Sequence, residues 1–267
     1  MQKSLRLSAL AALLLIAGIS CKKSATTSEE INAVTPSVIN SIKEMGFTTS
    51  NIESTEGGYI VEGDIFISSS DLSRSMSGSI LRVGQSEQYR TTNLVTGLPR
   101  VISILVATSL PASYASATDE AISRYNAQNL QLTFRRITSG TPTITIKDAP
   151  KSARYLASAG FPTSSGNPYN TVLVATRQIG TQPLNTVASI LAHEIGHCIG
   201  FRHTDYMDRS YSCGGSTANE GASTVGAIQV PGTPAGPDPD SWMLACIGSG
   251  QNRPFNPNDK TALTYLY

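Results

Sequence analysis

Leu191-Ala192-His193-Glu194-Ile195-Gly196-His197-Cys198-Ile199-Gly200-Phe201-Arg202-His203 is the stretch from which this chain is read. All three histidines of the sequence lie in it. His193 and His197 are four residues apart, so on a helix their imidazoles stand one turn apart on one face and can close on one metal ion. Glu194 flanks the first ligand, where a general base for a metal-activated water belongs. His203 lies six residues past His197, roughly 9 Å further along if the helix ran on. The helix must therefore stop, and Gly200 is placed to stop it, because glycine enters a left-handed turn without steric penalty. Three imidazoles leave a fourth position open, the coordination expected of a catalytic zinc ion. Asp205 is the alternative third ligand.

Outward from this stretch, the chain before the helix shows a regular alternation of elements. Val101 to Val106 is predicted as a strand, Ser116 to Asn129 as a helix with Ser116, Asp119 and Glu120 at its start, and Leu130 to Ile137 and Thr143 to Lys147 as strands. Thr171 to Thr176 is a buried strand, and Asn185 is placed to cap the histidine helix. After His203 the composition changes. Thr204 to Asp240 is rich in Gly, Pro, Ser and Thr and is expected to form an irregular wall. Asn258 and Asp259 can cap a closing helix, Lys260 to Tyr267.

Residues 31–97 form a different kind of segment. Pro36 to Met45 has helical spacing, ended by Gly46. Tyr59 to Ile67 is strand-like with a break at Gly63, and the serine-rich Ser68 to Gly84 is expected to be mobile. At the start, Lys3 and Arg6 precede an apolar run, Leu7 to Ile19, too short to span a bilayer comfortably. Residues 1–20 are thus expected to be a signal peptide. The small residues before Cys21 resemble the lipobox of bacterial lipoproteins. That resemblance implies acylation of Cys21, a polar tether over 21–30, and an exported protein anchored at the periplasmic face or cell surface. A cleaved signal peptide with an incidental cysteine is the alternative.

Export permits disulfides. Cys213 and Cys246, two loop positions flanking the Gly/Pro-rich segment, are the expected pair. Cys198 is then a small buried apolar residue, or else a bridge partner itself. The chain has 267 residues and 40% hydrophobic content, enough to bury a real core. A net charge of +1 gives no ground for nucleic-acid binding or for electrostatic attachment to a membrane. Asp205, Asp208, Asp238 and Asp240 are available as oxygen ligands to calcium, and the sequence does not decide whether calcium binds.

The run H-E-x-x-H-x-x-G-x-x-H, with Ser241-Trp242-Met243 downstream, resembles the metzincin zinc metallopeptidases, whose Met-turn places a methionine beneath the metal. The HEIGH form with the lipoprotein start resembles the bacterial dual-action HEIGH metallopeptidases. The resemblance implies an α+β fold in which a two-lobed catalytic domain over 98–267 carries a mixed twisted sheet, a zinc helix and an irregular lower lobe. It also implies an endopeptidase that binds zinc through His193, His197 and His203, packs Met243 under it and uses Glu194 as base. Peptides or proteins would be the substrates, and the chain is expected to be monomeric. Ala157 to Pro162 resembles the cleft's edge strand, to which an extended substrate adds. Residues 31–97 resemble a propeptide. Within them, Glu62-Gly63-Asp64-Ile65 resembles the inhibitory segment of astacin-type propeptides, with Val61 where an aromatic residue is usual, implying that Asp64 blocks the metal; a turn within a hairpin is the alternative. The chain departs from astacins and serralysins at Ala245, where those enzymes carry a tyrosine. A zinc-holding adhesion or binding lipoprotein without catalysis is the competing reading.

Overall fold

The computed structural model describes residues 33–74, 88–220, 226–234 and 237–267. Residues 31–267 make one compact unit. Cys21 and the leader lie outside the described residues.

The frame is an eight-stranded mixed sheet. In chain order its strands are β1 (Glu53–Thr55), β2 (Gly58–Val61), β3 (Ile65–Ser68), β5 (Arg100–Val106), β6 (Leu132–Ile137), β7 (Ile144–Asp148), β8 (Ala157–Ala159) and β9 (Thr171–Val174). Their spatial order is β1-β2-β3-β8-β9-β7-β5-β6. β5 runs parallel to both β6 and β7, β9 continues parallel to β7, and β8 turns antiparallel against β9. A short ribbon pairs β4 (Tyr89–Arg90) with β10 (Ile228–Gln229). Alternation along β6, with Leu132 and Phe134 buried and Thr133 and Arg135 exposed, marks a half-buried strand.

Two helices cover the core side. α3 (Ala112–Asn126) joins β5 to β6, and α5 (Leu184–Ile199) carries the histidines. Tyr125 donates to the Ala192 carbonyl at 2.7 Å, and Arg124 donates to Ser189 Oγ at 3.0 Å. Residues 186–199 of α5 are all buried, so the helix is central and apolar on nearly every side. The smaller helices are α1 (Pro36–Glu44), α2 (Ser69–Arg74), α4 (Thr176–Ile179), α6 (Ser210–Cys213) and α7 (Pro257–Leu266).

Several local expectations need correction. α3 begins at Ala112, not Ser116, because Pro111 at its N-cap sets the starting φ. Asn185 does not cap α5; Pro183 holds the N-cap and no side chain caps the helix. For α7 the cap is Asn256, in a capping box with Asp259, with Pro257 opening the helix. Ser69–Arg74 is helical, and the rest of the serine-rich segment lies outside the described residues.

The largest correction concerns β8. It is not an edge: β3 lies beside it in parallel, with Ile65 opposite Ala159 and the Ala159 amide donating to the Asp64 carbonyl at 3.0 Å. The propeptide-like segment thus fills the edge expected for substrate. Residues 88–97 are woven in from another direction. The Arg202 amide donates to the Tyr89 carbonyl at 2.9 Å, and the Thr91 amide to the Gly200 carbonyl at 2.8 Å. Gln88 donates to Asp259 at 2.7 Å.

Candidate metal centre

α5 ends where the spacing requires. Gly200 adopts φ 110°, ψ 12°, and the chain reverses so that Phe201 returns a hydrogen bond to the Gly196 carbonyl at 2.9 Å. A Cβ on Gly200 would lie 2.8 Å from Leu94 Cδ2 and 3.1 Å from the Asn93 carbonyl oxygen, so both conformation and space demand glycine. The reversal brings His203 back to the face that carries His193 and His197.

Each imidazole is held by its Nδ1. That of His193 lies 2.9 Å from the Trp242 carbonyl, that of His197 2.8 Å from the Phe201 carbonyl, and that of His203 2.9 Å from Glu220 Oε1. These contacts orient all three Nε2 atoms inward, as outer partners of metal ligands do. The Nε2 atoms of His197 and His203 are 3.2 Å apart. A fourth group joins them: Asp64 Oδ2 lies 3.0 Å from His203 Nε2 and 3.4 Å from His193 Nε2. A tetrahedral zinc ion with its usual bond lengths spaces its ligand atoms ~3.3 Å apart. The spacings match, and His193 Nε2 is buried without a hydrogen-bond partner. The donor set of three imidazoles and a carboxylate therefore fits a zinc-type ion. Asp205 is elsewhere, accepting from Ser212 and from the Ala245 amide.

Asp64 reaches the cluster from the β2–β3 turn. Glu62 (φ 55°) and Gly63 (φ 92°) form a left-handed corner, and the Asp64 amide donates to the Val61 carbonyl at 3.3 Å. Burial opposes ionisation of Asp64, but the imidazoles of His203, His193 and His197 hold its carboxyl well below the usual range. Burial, with the Asp64 charge nearby, pushes the Glu194 carboxyl well above the usual carboxylate range. Glu194 Oε2 is buried and has no hydrogen-bond partner. Its side chain lines a cavity of about 230 Å³ with His193, Asp64, Leu156, Ile190 and Leu244.

Beneath the site, Ser241 and Met243 form a tight turn: the Met243 amide donates to Ser241 Oγ at 3.2 Å, and Ser241 Oγ donates to Asp259 at 3.0 Å. A Cβ on Gly196 would stand 2.6 Å from Met243 Sδ, so this glycine of the HEIGH run makes room for the methionine. Cys213 and Cys246 form a disulfide, and Cys198 is a buried free thiol. Among the described residues, the clusters able to gather on one ion contain none of Asp205, Asp208, Asp238 and Asp240. Asp208 and Asp238 spend their oxygens on turns, accepting from Ser210 and Ala218, and from Asp240, Asn256 and Asn258.

The family model described as "Dual-action HEIGH metallo-peptidase" matches residues 59–267. The chain belongs to this family. It is therefore a metallopeptidase, a hydrolase, and the reading as an adhesion lipoprotein without catalysis is set aside. The matched region starts at Tyr59 and so takes in the hairpin turn that bears Asp64. Two solved structures of myroilysin are also similar. "Structure of Myroilysin" is 15% identical with a TM-score of 0.42, covering 65% of this chain and 82% of that one. "Crystal structure of myroilysin" is 14% identical with a TM-score of 0.39, covering 63% and 83%. No curated protein matches.

Three residues of this metallopeptidase's site escaped sequence reasoning. Glu220 lies in the irregular stretch, where no periodicity singles it out. Arg202 sits inside the motif at an unrestricted position. Gly196 gains meaning only once Met243 is seen against it.

Proposed function

We propose that this chain is a zinc endopeptidase made in a latent form, with Glu194 as its general base and the β2–β3 hairpin as its block. The observation that carries this reading is the meeting of three inward Nε2 atoms with Asp64 Oδ2 at tetrahedral spacing, beside an unpartnered Glu194 oxygen. His193, His197 and His203 would hold the ion, and Met243 packs as an apolar floor. When bound, zinc lowers the pKa of water and polarises a peptide carbonyl. Glu194 then takes a proton from the attacking water and delivers it to the leaving amine. Its buried Oε2, without a hydrogen-bond partner, faces the cavity beside His193 where that water would stand. β8 offers backbone groups to a peptide, but only when β3 is displaced from it. In the latent chain Asp64 takes the fourth ligand position.

Residues 31–87 are accordingly proposed as the propeptide region, with strands β1 to β3 docked on the catalytic sheet, and residues 88–267 as the catalytic domain, a boundary earlier than the one near residue 98 expected from the sequence. Gln88 to Gly97 remain with the enzyme, since they clamp residues 200–202. Residues 1–20 would direct export and an acylated Cys21 would tether a monomer to the membrane. Among the described residues no helix is long and apolar enough to cross a membrane.

The test is Glu194→Gln in the processed enzyme. Peptide hydrolysis is expected to fall by at least ~10²-fold while zinc content stays at the wild-type level. Equal turnover by both proteins would remove Glu194 from the chemistry.

A further inference from the structure

A second buried polar cluster adjoins the metal site. Arg202 is fully buried, one residue before His203. Its guanidinium carbon lies 5.3 Å from the Phe47 ring centre, 5.8 Å from that of Phe161 and 5.9 Å from that of Tyr206. Nη1 donates to the Gly226 carbonyl at 3.2 Å. Nη2 lies 3.4 Å from Glu62 Oε2 and 3.8 Å from Glu220 Oε2. Arg209 Nε stands 3.1 Å from Glu220 Oε1. Arg202 and two carboxylates are therefore buried together, with the partly exposed Arg209 beside Glu220. Glu220 belongs to the catalytic side, whereas Glu62 arrives on the hairpin, two residues before Asp64. The other oxygen of Glu62 accepts from the Thr48 amide at 3.1 Å.

Displacing residues 33–68 removes Glu62 and Phe47 together. Arg202 then loses the Glu62 carboxylate and keeps Glu220, Phe161 and Tyr206 beside it. The place vacated by Glu62 lies beside a guanidinium and two aromatic rings, surroundings that suit another carboxylate. We infer that Arg202, Phe161 and Tyr206 form a subsite for an acidic side chain, filled by Glu62 in the latent chain and by a Glu or Asp of the peptide substrate in the active enzyme. The inference rests on the reading of the hairpin as the occupant of the substrate cleft. A guanidinium pairs with a carboxylate through parallel N–H donors, whereas a carboxamide leaves the charge unmatched.

Glu62→Ala in the full chain opens a space of known shape beside Arg202. Its Tm is expected to fall below wild type and to regain at least half of the loss in sodium propionate. Propionamide at matched ionic strength should not restore it, and wild type should respond to neither. Equal effects of propionate and propionamide, or no effect of either, would overturn the subsite. Glu62→Gln keeps the side-chain volume and removes only the charge. It is expected to speed hydrogen exchange at the Ala159 amide; exchange at the wild-type rate would also overturn the inference. Neither measurement needs peptidase activity, so failure here is separate from failure of the zinc-peptidase reading. Cleavage-site profiling of the active enzyme is then expected to favour Glu or Asp over Gln or Asn by at least roughly tenfold at one position flanking the scissile bond. No preference would overturn the substrate half.

Discussion

Glu220 is the residue through which the outer shell of this site acts. Its carboxylate meets His203 Nδ1 at 2.9 Å and 3.1 Å through its two oxygens, which fixes the ring with Nε2 toward the cluster. His193 and His197 are held instead by backbone carbonyls, which mutation of a side chain leaves in place. His203 is thus the ligand most exposed to substitution. Glu220→Gln is expected to weaken zinc binding about 10–100-fold, read by competition with a chromogenic chelator, while the fold survives. The meeting of the three imidazoles was legible in the sequence because helix spacing and the stop at Gly200 restrict it almost completely. Glu220 was not, because it approaches from an irregular stretch whose path no local rule specifies.

The β2–β3 hairpin is the element on which the proposed latency rests. Its register, Gly58 opposite Ser68 and Val61 opposite Ile65, sets the corner that sends Asp64 into the cluster. Gly58 makes that register close: a Cβ there would stand 2.1 Å from the Ile67 carbonyl oxygen and 2.9 Å from Phe66. Gly58→Ala must force the strands apart, at a cost of about 1–3 kcal/mol. It is expected to lower Tm and to give the full-length chain hydrolysis of a short peptide that wild type lacks. A full-length variant as inactive as wild type, with a displaced hairpin, would separate the hairpin from latency. The strand character of this segment was visible from its β-branched and aromatic residues. Its neighbour was not, since β3 and β8 lie some ninety positions apart and non-local pairing leaves no trace in either stretch. For the same reason Ala157–Ala159 looked like a free edge.

At the scale of the molecule, sheet and ribbon answer different needs. The sheet and α3 support α5, and the hairpin extends that sheet across the cleft. The segment 88–97 instead clamps the chain reversal that delivers His203, through the backbone of Tyr89 and Thr91, while the Gln88 side chain ties the segment to Asp259 and Ser241. A chain beginning at Leu98 is therefore expected to lose both zinc binding and cooperative melting, and a chain beginning at Gln88 to keep them. The mature N-terminus, found by sequencing the processed enzyme, should lie before Gln88. Composition and element order were enough to indicate an α+β domain with a helix-borne metal site. They placed the propeptide boundary near residue 98, just before the first predicted strand of the catalytic domain. The clamp consists of backbone hydrogen bonds, to which side-chain patterns are blind.

The most direct test is diffraction at the zinc absorption edge from crystals of the zinc-loaded full-length chain. The expected anomalous map has one peak among the ligands, ~2.0–2.2 Å from the Nε2 atoms of His193, His197 and His203 and from Asp64 Oδ2. A peak bound by fewer than three of these imidazoles, or an Asp64 carboxylate turned away from the ion, would contradict the account.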